Sequence, residues 1–200
     1  MVEKTTIMAV SIFLIIIAIT SFLIFRTASE EDPNNYVYND FRIIKNTDIV
    51  GYTVVAYLDK QQYNLKLRND PPNTENITVE GNPRTIILSK PTVYLTMEPN
   101  LTSKSVIAAL EVANIISRKL GIYNKETIGA ITRPVPDNPI TIATCDNVTL
   151  QENVILFRIG DETKVFLEKS CIIVQGTNEW EIIRASDRLV YDILEVFKSA

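Results

Sequence analysis

Residues 171–176 read "CIIVQG", a short uncharged run closed by a glycine. A strand with one wet face alternates apolar and polar residues. This run does not alternate, so it reads as a strand buried on both faces. Such a strand needs neighbours at its edges and helices or loops over its faces, and the flanking sequence offers them. Downstream, Asn178 and Glu181 have the spacing of a capping box, so a helix is expected from about Glu179 to Lys198. Its apolar stripe runs through Ile182, Ala185, Leu189, Ile193 and Phe197, widened by Ile183, Val190 and Leu194. Arg188 and Asp192 can pair on its wet side. Trp180 is expected in the core or in a capping staple. Upstream, "NVILFRI" (153–159), the turn "GDET" and "KVFLEK" (164–169) predict a β-hairpin.

Earlier in the chain, "DIVGYTVVAYL" (48–58) and "YNLKLR" (63–68) flank a "DKQQ" loop and predict a second hairpin. The prolines and asparagines of "NDPPNTEN" (69–76) predict a turn. "ITVEG", "RTIILS" and "PTVYLTM" (91–97) are strand candidates, as are "TIGAIT" (127–132) and "ITIATC" (140–145). Between them a helix is expected after Thr102 or Ser103, with Val106, Leu110, Ala113, Ile116 or Ser117, and Leu120 as its apolar stripe. Gly121 is placed to end it. The order β-rich, α, β-rich, α implies an α/β or α+β fold, a mixed-sheet sandwich with two main helices.

"IMAVSIFLIIIAITSFLIF" (7–25) is 19 residues without a charge. About 20 helical residues cross a bilayer core, so the run reads as a transmembrane anchor. Ser11, Thr20 and Ser21 can bond back to helix carbonyls. A cleaved signal peptide fits less well, because the run is long and "FRTASEED" lacks a small-x-small site. A buried core helix would show an amphipathic face, and none is visible. The expected organisation is a cytoplasmic tip and anchor over 1–26, a stalk over 27–41 and an extracellular domain over 42–200. Tyr36, Tyr38 and Phe41 could pack the first strand onto that domain or lie as an aromatic belt at the membrane.

The chain has no histidine and a net charge of −4. Histidine-dependent nucleophilic catalysis and the common zinc sites are excluded, and nucleic acid is disfavoured. Cys145 and Cys171 are too few for a metal site, so no metal and no cofactor are expected. Cys145 is expected to end a strand and Cys171 to begin one, which leaves a disulfide or two buried free thiols. A disulfide is preferred, because a hairpin over 153–169 would bring the flanking segments together. Disulfides persist in oxidising compartments, which places the domain outside the cell. Three N-x-Ser/Thr acceptors, Asn76, Asn100 and Asn147, permit glycosylation there, at about the frequency chance gives. Asp137, Asp146, Asp161 and Glu162 fall in expected loops, where local hydrogen bonding accounts for them. Paired carboxylates of that kind would be what a glycosidase needs. No phosphate loop, G-x-S-x-G or H-E-x-x-H occurs.

The tail "CIIVQGTNEWEIIRASDRLVYDIL" resembles the C-terminal ends of small archaeal membrane-anchored surface proteins, some of which resemble part of an S-layer domain. The shared pattern is an apolar strand ending in glycine (Gly176), then a helix with an alanine and a charged residue on its exposed turn (Ala185, Asp187). "PITIATCDN" is similarly placed to a strand-then-Asn motif. The resemblance covers about the last 65 residues. It implies cell-surface residence, a structural or assembly role and no catalytic residue. The function expected is a non-enzymatic, single-pass envelope module, S-layer-associated or part of a surface complex, with a protein partner or self-assembly at the surface. The alternative is a membrane-tethered hydrolase acting on envelope polysaccharide through paired carboxylates. A pilin-like filament subunit ranks lower, since "EEDPNN" breaks the long helix it would need.

Overall fold

The computed structural model describes residues 14–21, 34–48, 50–58, 60–119, 121–137 and 139–197, apart from the side chain of Asn147. The chain divides into two compact units, Met1–Tyr36 and Val37–Ala200. In the first, residues 14–21 are helical and the apolar side chains described there are exposed. Thr20 Oγ1 donates back to the Ile16 and Ile17 carbonyls, at 2.9 and 3.0 Å, so its hydroxyl needs no outside partner. The rest of the apolar run 7–25 lies outside the described residues. No described helix is long and apolar enough to cross a membrane.

The second unit mixes helices with two sheets. β1 (Asn35–Tyr38), which begins in the first unit and lies within the stretch expected as a stalk, leads into an antiparallel meander. Its other strands are β2 (Phe41–Lys45), β3 (Tyr52–Leu58) and β4 (Gln61–Leu67). Ile43, Val54 and Leu65 share a register row and are all buried, so one face of this sheet packs inward. The turn "NDPPNTEN" tightens into a helical turn, α1 (Pro71–Thr74), because Asp70 accepts from the Asn73 N–H and Pro71 is pre-set for helix.

The second sheet has six strands in the order β5-β9-β10-β8-β6-β7: β5 (Thr78–Val79), β6 (Thr92–Met97), β7 (Glu126–Ile131), β8 (Glu152–Ile159), β9 (Lys164–Glu168) and β10 (Cys171–Gly176). All six residues of β10 are buried, as expected of a run that does not alternate; its one polar side chain, Gln175, accepts from Arg158 and donates to the Glu162 carbonyl. Its central place overturns the hairpin expected over 153–169. β8 and β9 do not pair with each other; β10 lies between them, parallel to β8 and antiparallel to β9. The tight hairpin is β9–β10, turned at Lys169 and Ser170, with Lys169 in the left-handed region (φ 58°). A strand apolar on both faces gains most with both edges paired, and the "GDET" loop is long enough to step over it. At Gly160, in that step, a Cβ would displace the end of the Gln175 side chain.

"RTIILS" is a helix, α2 (Pro83–Ser89), not a strand. Asn82 accepts from the Thr85 N–H at 3.0 Å, Pro83 opens the first turn, and Ile87 is fully buried. "ITIATC" forms no strand either. Only Ile142 bridges, to Ile131, and Cys145 opens a 3-10 turn (Cys145–Asn147).

The main helices, α3 (Ser103–Ile116) and α4 (Glu179–Ile193), pack on each other and on one face of the six-stranded sheet. A Cβ at Gly176 would lie 2.3 Å from the Ile182 nitrogen, so glycine lets α4 start directly on the end of β10. Thr102 caps α3 and Asn178 caps α4, accepting from the Trp180 and Glu181 N–H groups. α3 stops at Ile116. Gly121 lies beyond it and serves close approach, because a Cβ would lie 2.3 Å from the Ile115 carbonyl oxygen. α4 stops at Ile193 rather than Lys198. Glu195 turns left-handed (φ 59°), and Val196 N–H returns to the Tyr191 carbonyl. That reversal sets Phe197 edge-on to Tyr191 and to Tyr38, 6.0 and 5.9 Å between ring centroids, so Tyr38 packs onto the domain. Arg188 and Asp192 pair at 3.9 Å, half-buried rather than wet. Trp180 is 59 % exposed, outside the core, with Lys104 over its ring.

Candidate functional site

The opposite face of the six-stranded sheet is closed by the segment expected as a strand. Val154, Cys171 and Ile173 form a buried cluster against Tyr94, Cys145, Val148, Leu156 and Phe166. Cys145 and Cys171 form a disulfide, with Cα atoms 5.2 Å apart, and no described cysteine is free. Thr96 Oγ1 adds a second tie, donating to the Ala143 carbonyl at 2.8 Å. The bond therefore fastens an irregular cover to the central strand, without the hairpin that motivated the pairing.

The loop carboxylates are scattered. Asp146 pairs with Lys169 at one end of β9, and Glu162 with Lys164 at the other, next to exposed Asp161. Asp137 is exposed in the loop after β7. Asn100 is exposed; exposed Asn76 accepts from Arg184 at 2.8 Å. The Asn147 side chain lies outside the described residues.

Among the described residues a buried carboxyl pair lies between the two main helices, at positions no sequence expectation named as a pair. Asp187 on α4 is fully buried, which corrects its placement on an exposed turn, and Ala185 is buried with it. Asp187 Oδ2 accepts from the Asn69 backbone N–H at 2.7 Å and from Asn69 Nδ2 at 2.8 Å. Tyr191 holds that loop by donating to the Asn69 carbonyl at 2.7 Å. On α3, Glu111 Oε1 meets Arg68 Nη1 at 3.3 Å. One oxygen of each acid, Glu111 Oε2 and Asp187 Oδ1, has no donor.

Burial, then the charge of Asp187, pushes the Glu111 carboxyl up to about 10. Burial lifts Asp187 to about 6, against the opposing hydrogen bonds from Asn69. Glu111 therefore keeps its proton and is the donor towards the neighbouring Asp187. The pair then carries one negative charge beside Arg68. A spacing signal existed: Asp187 stands four residues from Ile183 and from Tyr191, on the apolar face, and Glu111 stands four before Ile115. Sealed between helices, the pair joins α3, α4 and the end of β4; it presents no acid to a substrate.

The open site is elsewhere. A trough of about 870 Å³ lies beside α3 over β6 and β7. Register places Leu95 and Met97 on the helix side with Gly129 and Ile131, and these form the floor. Val106, Leu110 and Ala113 form the wall, with Val106 43 % and Leu110 53 % exposed. This is the stripe expected to face the core. The stripe that does so is Ala108, Ala109, Val112, Ile115 and Ile116. α3 is thus apolar on two faces, and only one is covered. A Cβ at Gly129 would meet nothing within 4 Å. Among the described residues no group of three or more acidic or cysteine side chains is placed to hold a metal.

No protein family, curated protein or solved structure matches this chain.

Proposed function

We propose that the protein is a non-enzymatic, single-pass module of the cell surface. Residues 7–25 anchor it, the N-terminus is cytoplasmic, and the domain outside the membrane binds an envelope component in the α3–β6–β7 trough. The trough carries this reading. Its volume lies in the range of small-molecule sites, roughly 300–1,000 Å³, and it exposes a helix face whose leucine and valine would otherwise be buried. The Cys145–Cys171 bond supports the exterior location, since such bonds persist in oxidising compartments. An S-layer or another surface complex is the proposed setting. Hydrolysis of envelope polysaccharide has less support. It needs two carboxyl groups facing a cleft, about 5–10 Å apart, whereas Glu111 and Asp187 are closed off by the helices that carry them.

Protease shaving of intact cells tests the topology: the domain should be cleaved from outside, with Cys145 and Cys171 peptides recovered as a disulfide-linked pair. A domain protected until lysis, with both thiols alkylated, would sink the surface reading.

A further inference from the structure

The trough is polar at one end and apolar at the other. α3 follows β6 and runs back across the sheet, so its last turn lies beside the start of β7, where Ser117 bridges Lys125. Asn114, Ser117, Arg118, Lys119, Lys125, Glu126 and Thr127 all gather at that end. At the other end are Met97, Val106, Ile131 and Ile140. Three cations against one acid leave the polar end net positive. Lys125 is partly committed, donating to the Leu88 carbonyl. Arg118 and Lys119 are exposed and in no ion pair among the described residues.

The size of the site narrows the occupant. A stable protein interface takes roughly 20–30 residues a side, far more than this lining offers, so a second copy or a protein face fits poorly. An added β-strand fits poorly too. The free edge of β7 is closed at both ends, by the Ser117–Lys125 and Ile131–Ile142 bridges, which leaves a window too short for a peptide ladder. The six residues of β7 span about 20 Å at 3.3 Å each. One acyl tail fills half of a bilayer core, about 15 Å, which leaves length for a headgroup at the cationic end.

We propose that the trough binds one anionic single-chain amphiphile. Its tail lies over Gly129 between Leu110 and Ile131, and its carboxylate or phosphate head sits at Arg118 and Lys119. This rests on the binding-module reading above and specifies the ligand.

The test uses the full chain in nanodiscs of uncharged lipid, with a photoreactive palmitate as probe and adducts mapped by mass spectrometry. Adducts are expected on the peptides carrying Leu110 and Ile131, competed by palmitate and not by monopalmitoylglycerol. Arg118→Glu with Lys119→Glu should weaken labelling at least about tenfold, and Leu110→Glu should abolish it. Adducts confined to residues 7–25, equal competition by the uncharged lipid, labelling that appears only when the disc itself contains anionic lipid, or indifference to the charge reversals would each overturn the proposal. Hydrogen exchange at Thr127 and Gly129 separates the two readings. Protection by an extended peptide without palmitate labelling would overturn the amphiphile and keep the binding module. Protection by neither would remove both.

Discussion

Glu111 on α3 and Asp187 on α4 each end in one buried oxygen without a donor, and burial beside the Asp187 charge keeps a proton on Glu111. The consequence is a pH dependence of definite sign. The folded chain holds a proton on Glu111 up to about 10, whereas the unfolded chain releases it near the ordinary 4.5. The stability this group contributes is therefore complete below 4.5 and lost as pH rises towards about 10. Glutamine keeps an N–H donor for Asp187 and cannot ionise. In Glu111→Gln, the parent-minus-variant difference in urea midpoint should fall steadily between about pH 6 and 9. A constant difference would show that no proton is held there.

Glu179 caps a helix that is not its own. Its Oε2 accepts from the N–H and hydroxyl of both Thr102 and Ser105, at 2.8–3.2 Å, over the N-terminus of α3. Burial works against the charge, but these four bonds prevail and hold the carboxyl below its usual range. The stability involved is present above the ordinary carboxylate pKa and lost as pH falls through the lower folded value. Glu179→Ala should cost about 1 kcal/mol at neutral pH, by chemical denaturation. The gap to the parent should narrow as pH falls through that lowered value.

The disulfide closes a loop with a sequence separation of 26, worth about 3–4 kcal/mol by loop entropy. Cys145→Ala with Cys171→Ala should lower stability by at least that amount, because Cys171 is fully buried and its side chain also packs. Reductant should reproduce most of the loss in the parent and none in the variant.

The two apolar faces of α3 should respond differently. Ile115→Ala empties a site only 1 % exposed and should cost about 2–5 kcal/mol. Leu110→Ser, in the open trough, should stay within about 0.5 kcal/mol. Urea melts of both variants decide it; equal losses would mean that the trough is closed in solution.

Some of this was legible from local pattern. "CIIVQG" marked a doubly covered strand, Asn178 and Thr102 marked helix starts, and two lone cysteines marked a bond. Each is set by neighbours along the chain or by the lack of any other partner. "RTIILS" misled because its β-branched residues outweighed Asn82 and Pro83, whose capping power depends on a helix having somewhere to pack. Ile87 supplies that by being buried. The hairpin over 153–169 misled because adjacency in sequence was read as adjacency in the sheet.

By itself, then, the sequence determined what each segment could become: a long apolar run near the N-terminus, a strand dry on both faces, two capped helices, and a chain without histidine chemistry. Only the tertiary structure decided which surfaces meet. Strand order depends on all six strands competing for the edges of β10. α3 offered two apolar faces, and the packing of α4 and the sheet covered one and left the other as a trough. Asp187 and Glu111 are ordinary helix acids until burial removes water from both and keeps a proton on Glu111. Burial and pairing are sums over distant residues, and a local window of sequence contains none of those terms.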